Sequence, residues 1–239
     1  MEAKNDRHEY RPNRNAQINV ESKETGKVGF LGGIKVPAVA RFEIGYRAGV
    51  EAYNQLKGKN TEVLIAYANH FGDAPKGKSL SLAQMEQGAD IVFAAAGATG
   101  NGAFEAAKEK ALALYGLKDG ASLDAIKNAY KKIGKGYFAI GVDVDQDYLA
   151  PGIILASAMK GIDVAAFEGI KSAMGRKFAS GNNVVGLKEN GVRLSALTYT
   201  KDMIDPTALK EIEKLIEDIK SGKLIIPEDE VGLKNFKVK

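Results

Sequence analysis

Cysteine is absent from the 239 residues, which excludes disulfides, thiolate metal sites and a cysteine nucleophile. A lipid-modified cysteine is excluded from the chain as given. His8 and His70 are the only histidines, too few for a histidine-based metal cluster or a credible Ser-His-Asp arrangement. No pair of carboxylates accompanies a nucleophile either. The composition therefore favours binding over catalysis, and we expect a protein that is not an enzyme and holds no cofactor or metal.

Long apolar runs are missing as well, since no stretch approaches the ~20 residues that a membrane-spanning helix needs. Residues 1–26 lack the apolar core of a signal peptide and are almost free of aliphatic side chains, so we predict a polar, disordered leader. The 34 basic residues are scattered among 30 acidic ones. Because no block of like charge appears, we expect no nucleic-acid partner.

From Lys27 onward, short apolar runs alternate with segments of helical periodicity. The runs "KVGFLGG", "EVLIAYA", "DIVFAAAG" and "YFAIGVD" are typical of buried strands, and the first three each precede a helix-like segment. This alternation predicts an α/β fold with a parallel sheet. Ligands bind such sheets beyond the carboxyl ends of the strands, where the loops "GGIKVP", "NHFGDAPKGK", "GATGNG" and "DVDQD" would lie.

One of these loops contains "GDAPKGKS", Gly72–Ser79, which matches the phosphate-binding loop G-x-x-x-x-G-K-[ST] of nucleotide hydrolases. Lys78 would then contact the phosphates. Against this interpretation, three residues separate the preceding strand from Gly72. Asp73 would also place a negative charge among the backbone N–H groups that should receive phosphate oxygens. A nucleotide hydrolase that uses Gly72–Ser79 remains the alternative hypothesis.

Charged residues at two predicted strand ends suit a small polar ligand. Asp143 ends "YFAIGVD", and a carboxylate there can accept two hydrogen bonds from a vicinal diol such as that of ribose. Lys160 ends "IILASAMK" and is the matching donor, although alone it would equally suit a solvated charge at a helix start. Asp145 and Asp147 are more simply a turn residue and a helix cap. We therefore predict that Asp143 and Lys160 face the ligand.

Two further residues belong to the neighbouring loops. Gly97 opens "GATGNG", whose glycine spacing differs from that of a dinucleotide-binding loop, and it would let a ligand approach the backbone closely. The helix that follows has Thr99 or Asn101 as a plausible cap. Phe71, just before the phosphate-loop pattern, could be a flat platform for a heterocycle or part of the core.

Five ordered segments carry a specific resemblance. They are "GKVGFLGGIKVPAVARFEIGYRAGVEAYN", "FGDAPKGKSLSLAQMEQGADIVFAAAGATGNGAFEAAKE", "AIGVDVDQDYLAPG", "SAMKGIDVA" and "VVGLKENGV". Together they closely resemble the basic membrane lipoprotein family, the substrate-binding components of ABC importers, with members that bind purine nucleosides. The resemblance runs from about Lys27 to the C-terminus.

The resemblance implies a type I periplasmic-binding-protein fold, in which two α/β lobes joined by a hinge close on the ligand. It divides the chain into the leader 1–26, a complete lobe 27–156 with a parallel sheet, and hinge-crossing and C-terminal elements 157–239. The latter belong to a second lobe that is incomplete, because the N-terminal portion typical of the family has no counterpart here. By motif, Phe71 packs against the nucleobase, and the ribose contacts are Gly97, Asp143 and Lys160.

The expected function is therefore binding of a purine nucleoside for import, with an ABC permease and ATPase as partners. The family implies a place in the cell envelope, on the extracytoplasmic face of the plasma membrane, through a lipid anchor that this chain lacks. Without a signal peptide and lipobox, the cytoplasm is the alternative location for the chain as given. A third hypothesis is a structural or interaction protein built on one lobe.

Overall fold

The computed structural model describes residues 25–177, 180 and 185–238. Of the predicted polar leader, only the last two residues fall within this part of the chain. Six β-strands of the described residues form one sheet. Their bounds are β1 (Lys27–Gly32), β2 (Glu62–Tyr67), β3 (Ile91–Ala95), β4 (Phe138–Asp143), β5 (Ile154–Lys160) and β6 (Val192–Leu194).

The sheet is parallel except at one edge. The strand order is β2-β1-β3-β4-β5-β6, with β1 to β5 parallel and β6 antiparallel to β5. This topology confirms the predicted α/β class. Because parallel strands point the same way, the carboxyl ends of β1 to β5 lie along one edge of the sheet. The four loops predicted to contact ligand follow β1, β2, β3 and β4 there.

Helices connect most of the strands, and the sequence explains where they begin and end. The first helix has Pro37 in its first turn, where a fixed φ and a missing N–H cost nothing, and it stops at Gly58 in the left-handed conformation. The described helices are α1 (Pro37–Lys57), α2 (Ala74–Glu86), α3 (Asn101–Tyr115), α4 (Leu123–Ile133), α5 (Ile162–Met174), α6 (Pro206–Lys220) and α7 (Glu230–Lys234).

Both faces of the sheet are covered at its centre, because successive side chains of a strand point to opposite faces. The expectation of a buried strand is wrong for β2, which has no buried residue because it forms an edge of the sheet. On one face, Phe30 and Phe93 pack against Phe42 and Tyr46 of α1, with ring centroids 5.4–6.3 Å apart. On the other face, Leu31 joins a cluster built with α2, α3 and α4. This two-sided cover explains why the strands are continuously apolar in sequence.

The C-terminal segment of the described residues packs on the same body as the sheet. The Thr200 hydroxyl donates to the Leu155 carbonyl at 2.6 Å, and Phe236 lies in a buried cluster with Ala52 of α1. The predicted boundary after Ala156 falls inside β5, which continues into the segment assigned to the second lobe. The division into lobes itself stays a prediction.

Among the described helices longer than two turns, α5 differs from the others. α5 has no buried residue, and its large apolar side chains are exposed: Phe167 by 63%, Ile170 by 64% and Met174 by 82%. Such a face is unusual on a monomeric surface. None of the helices in the described ranges combines the length and apolar character needed to cross a membrane.

Candidate functional site

The loop after β2 carries Phe71 and is held against the loop after β3. The buried Thr99 hydroxyl donates to the His70 carbonyl at 3.0 Å and accepts from the Asp73 N–H at 2.8 Å. The Thr99 N–H donates to the Phe71 carbonyl at 3.0 Å. These three bonds fix the backbone on both sides of Phe71. Thr99, predicted as a possible helix cap, is instead the link between two loops, and α3 has no side-chain cap.

Phe71 and Gly97, which the sequence analysis assigned to the base and to the ribose, lie next to each other. The Phe71 side chain packs over Gly33, because a Cβ built on Gly33 would lie 2.3 Å from the Phe71 ring. Gly97 has a φ of +58°, and a Cβ there would approach the Phe71 carbonyl oxygen to 3.2 Å. Phe71 nevertheless stays 40% exposed. The ring is therefore seated on two glycines while one part of it remains open to solvent.

Asp143 and Lys160 also meet, as their strand-end positions predicted. The Lys160 ammonium lies 2.9 Å from Asp143 Oδ1 and 4.5 Å from the centroid of the Phe42 ring on α1. The side chains are partly exposed, Lys160 by 28% and Asp143 by 45%. A carboxylate acceptor thus lies beside an ammonium donor that itself lies over an aromatic ring. Sequence reasoning did not select Phe42, whose helical periodicity is that of any core residue.

The two pairs share one edge of the sheet. Gly97 follows β3 and Asp143 ends β4, and these strands are parallel neighbours. Lys160 ends β5, the next strand. The structure therefore places all four predicted residues along the carboxyl edge, with the aromatic ring beside β1 and the charged pair beyond β4 and β5.

A buried carboxylate below the Asp143 loop was not anticipated as part of the site. Asp147, predicted as a cap, is only 1% exposed, and its Oδ1 accepts from the Ser157 hydroxyl at 2.6 Å. Burial raises the pKa of the Asp147 carboxyl, hydrogen bonds from Ser157 and Ser195 oppose the rise, and the charge of Asp145 adds to it. The net pKa lies above that of an ordinary aspartate. The sequence gives no signal for this burial beyond the crowding of three carboxylates in "DVDQD".

A second buried acid lies near the end of β2. Glu43 of α1 is 4% exposed and accepts hydrogen bonds from the Tyr67 hydroxyl at 2.6 Å and from Arg47 at 3.1 Å. Burial, and then the hydrogen bond to Glu43, raise the pKa of Tyr67. Arg47 also pairs with Glu230 at the start of α7. The network ties α1 to the strand edge and to the C-terminal segment.

The phosphate-loop hypothesis finds no support in the local structure. Residues 74–79 lie in the first turns of α2 rather than in an open loop, and Asp73 caps the helix by accepting from the Lys76 N–H at 3.0 Å. Lys78 pairs with Glu109 of α3 at 2.7 Å. A Cβ on Gly77 would lie 2.0 Å from the Thr99 carbonyl oxygen. Gly77 therefore lets α2 pack closely against the Thr99 backbone. The N–H groups of Asp73, Lys76 and Gly77 already donate to acceptors within the protein.

The side chains of Phe71, Asp143 and Lys160 are all partly exposed to solvent. A cavity of about 240 Å³ lies elsewhere, beside the amino ends of β3 and β4, where Asp90, Tyr130 and Phe138 contribute to its lining. The candidate site is at the opposite, carboxyl edge.

The sequence of the chain is similar to that of a known protein family. The profile described as "ABC transporter substrate-binding protein PnrA-like" matches residues 20–230. The chain is 32% identical over 218 residues to basic membrane protein D of Borreliella burgdorferi strain JD1, covering 90% of this chain and 56% of that protein. It is 31% identical over 217 residues to an ABC transporter nucleoside-binding protein, BmpA, of Lactococcus lactis, covering 87% and 54%.

Solved structures agree with the sequence relatives. An ABC transporter solute-binding protein from Aeropyrum pernix K1 superposes with a TM-score of 0.68 at 26% identity, over 87% of this chain and 60% of that one. A second solute-binding protein, from Conexibacter woesei, gives a TM-score of 0.57 at 19% identity and supports the fold alone. The chain spans little more than half the length of the curated relatives it matches.

Proposed function

Because the chain belongs to the family of PnrA-like ABC transporter substrate-binding proteins, we propose that it binds a purine nucleoside without catalysing a reaction. A Lactococcus lactis relative is named as a nucleoside-binding protein. The proposal assigns the same ligand class to this chain. It also assigns the partners that such a protein needs, the permease and ATPase of an importer.

The observation that carries the proposal is the pair formed by Asp143 and Lys160 at the carboxyl edge, 2.9 Å apart. A vicinal diol has two hydroxyl groups, each of which can donate to a carboxylate and accept from an ammonium. The Phe42 ring below Lys160 keeps water from one side of the ammonium and so strengthens these bonds. We assign the ribose hydroxyls to this pair.

The exposed part of Phe71 supplies the complementary apolar contact. A purine is a flat heterocycle, and stacking of a base on an aromatic side chain contributes roughly 1–3 kcal/mol. Gly33 and Gly97 hold the ring from behind, so little side-chain entropy is lost when a base covers it. In this assignment Gly97 also leaves room for the sugar to approach the backbone.

The open site calls for a second lobe, and α5 supplies a surface on which one can pack. α5 begins two residues after Lys160, and none of its residues is buried. The curated relatives are longer than the matched region. We assign to the unmatched part of the family's length the second lobe that covers α5 and closes over the nucleoside. The division into a lobe 27–156 and hinge-crossing elements 157–239 belongs to this proposal.

The proposed location is the extracytoplasmic face of the plasma membrane, where an importer receives its substrate. Lipid anchoring at that face is proposed from the family resemblance. It would leave the nucleoside site facing the medium.

Thermal unfolding tests the proposal. A ligand at about ten times its Kd stabilises the native state by roughly 1.4 kcal/mol, which for a domain of this size raises the Tm by roughly 3–6 °C. We expect this rise with millimolar inosine, guanosine or adenosine, and a smaller one with cytidine. No rise with any purine nucleoside would contradict the proposal. A rise with ATP that is lost in Lys78→Ala would instead favour a phosphate loop.

A further inference from the structure

Asp143 has an unusual backbone. Its φ is +67°, and the N–H of Val144 donates to the carbonyl of Val142 at 2.8 Å. A three-residue turn closed in this way with a positive φ at its centre is the rare and strained form of the γ-turn. Residues in such conformations persist where the surroundings impose them, and they cluster at functional sites. The contacts around Asp143 must therefore hold it in this turn.

A chain of hydrogen bonds runs from the turn into the protein interior. The N–H of Val142 donates to Gln146 Oε1 at 2.8 Å, and the N–H of Gln146 donates to Ser157 Oγ at 3.0 Å. The Ser157 hydroxyl then donates to Asp147 Oδ1 at 2.6 Å. The N–H of Ser157 donates to Ser195 Oγ at 2.9 Å. The loop that follows β4 is thus bonded to β5 and to the residue after β6.

The network is built mostly from buried groups. Asp147, Ser157 and Ser195 are 1%, 0% and 5% exposed. A carboxylate placed there loses its hydration, which costs free energy. A turn that needed only a hydrogen-bond acceptor could use a neutral side chain at lower cost. The bond from Ser157 compensates part of this loss and, through Gln146, fixes how the chain leaves β4. Asp143 lies between the two anchored points, Val142 and Gln146.

We propose that Asp147, acting through Ser157 and Gln146, is a positioning residue that holds Asp143 in its γ-turn and thereby aims the carboxylate. The part that concerns ligand rests on the proposed function. In that part, the selectivity for a ribose diol depends on Asp147, although Asp147 contacts neither the ligand nor Lys160. The backbone part stands without any ligand.

The first experiment needs no nucleoside. In crystal structures of Asp147→Ala and Ser157→Ala we expect residue 143 to leave the positive-φ region and the bond from Val144 to Val142 to be lost. Asp147→Asn should keep the turn, because its amide oxygen can accept from Ser157. Ser81→Ala, which removes another fully buried hydroxyl, on α2, is the matched control. An unchanged φ at Asp143 in both alanine variants would overturn the proposal.

The second experiment measures selectivity. The ratio of the Kd for 2′,3′-dideoxyinosine to that for inosine reports the hydroxyl contacts, and we expect it to exceed about tenfold in the wild type. In Asp147→Ala, this ratio should fall to the value measured for Asp143→Ala, and in Asp147→Asn it should return to the wild-type value. The double variant Asp143→Ala/Asp147→Ala should have the same ratio as Asp143→Ala alone. A wild-type ratio in Asp147→Ala would refute the positioning role even if the variant is less stable.

The outcomes separate the two proposals. If no purine nucleoside binds the wild type, the proposed function fails and the φ of Asp143 in the variants decides the positioning role alone. If Asp147→Ala does not fold, Ser157→Ala breaks the same connection and both measurements are made on it. Loss of stability without a change in turn or ratio would mean that the network serves the core only.

Discussion

At the scale of single residues, Phe71 offers the simplest test of base recognition. Replacing it by alanine removes the ring that rests on Gly33 and Gly97. Because base stacking contributes roughly 1–3 kcal/mol, we expect Phe71→Ala to weaken inosine binding roughly five- to hundredfold in isothermal titration calorimetry. Phe71→Tyr keeps an aromatic face and should bind nearly as the wild type does. Equal affinity of the wild type and Phe71→Ala would remove Phe71 from the site.

The Asp143 carboxylate allows a separate test of sugar recognition. Asp143→Ala removes the acceptor of the diol and also leaves Lys160 without its partner at 2.9 Å. Hydrogen bonds to charged groups contribute roughly 1.5–3 kcal/mol, so we expect inosine affinity to fall roughly tenfold to hundredfold. Glu213→Gln, which neutralises an exposed acid on α6, is the control. An affinity for inosine that does not change would show that Asp143 does not contact the ligand.

Asp147 predicts a pH dependence of stability. Its pKa is raised in the folded protein, chiefly by burial, so the folded state holds this proton more tightly than the unfolded state does. As the pH rises above about 4, the ordinary aspartate value, the unfolded state loses its proton first. The wild type is therefore destabilised through this window, up to the raised pKa. Asp147→Asn lacks this contribution.

Urea unfolding at several pH values measures the effect. The free energy of unfolding of Asp147→Asn minus that of the wild type should increase from pH 4 upward and then level off. A difference that decreases over the same window would mean that the carboxylate is stabilised, not penalised, by its surroundings.

The strand-end residues could be predicted from sequence because a parallel sheet collects its carboxyl ends on one edge. Asp143 and Lys160 end two consecutive parallel strands, β4 and β5, so the topology alone brings them together. The burial of Asp147 could not be predicted in this way. It depends on side chains from β5 and the segment after β6, and on a left-handed turn that local sequence does not specify.

At the scale of elements, the glycines of "GDAPKGKS" and "GATGNG" have a packing explanation. α2 lies so close to the segment before α3 that a Cβ on Gly77 would sit 2.0 Å from a backbone oxygen of Thr99. A Cβ on Gly102 would lie equally close to the Ala74 carbonyl oxygen. A Gly-rich sequence of this kind can match the phosphate-loop pattern G-x-x-x-x-G-K-[ST], but it can also reflect close packing of two helices. Only the three-dimensional neighbours distinguish the two.

A pair of glycine substitutions tests this explanation. Gly77→Ala should destabilise the protein by roughly 1–3 kcal/mol, since overpacking against backbone cannot be relieved by a side-chain rotation. Gly169→Ala, in the interior of exposed α5, meets nothing within 4 Å and should stabilise by roughly 0.5–1 kcal/mol through helix propensity. Chemical denaturation gives both values. Similar effects at the two positions would contradict the packing explanation.

At the scale of the whole molecule, the exposed apolar face of α5 is the surface on which we expect a second lobe to pack. Its apolar side chains do not contribute to the core of the described residues, so Phe167→Ser/Ile170→Ser should change the free energy of unfolding by less than about 1 kcal/mol. The same variant should weaken the packing of a second lobe. A large loss of stability in the chain alone would mean that α5 is already packed.

A complementation experiment examines the second lobe directly. The part of the Lactococcus lactis relative that the match leaves uncovered can be supplied as a separate polypeptide. We expect a 1:1 complex in sedimentation analysis and tighter inosine binding than by this chain alone, with both effects reduced in Phe167→Ser/Ile170→Ser. Self-association of the chain through α5, with no complex, would contradict the two-lobe account.

The most direct test of nucleoside recognition is a crystal structure of the chain with inosine bound. We expect the hypoxanthine ring to lie against Phe71 and the 2′- and 3′-hydroxyls to lie within about 3.2 Å of Asp143 and Lys160. Inosine bound elsewhere, such as in the cavity lined by Tyr130 and Phe138, or bound with its ribose away from Asp143, would contradict it.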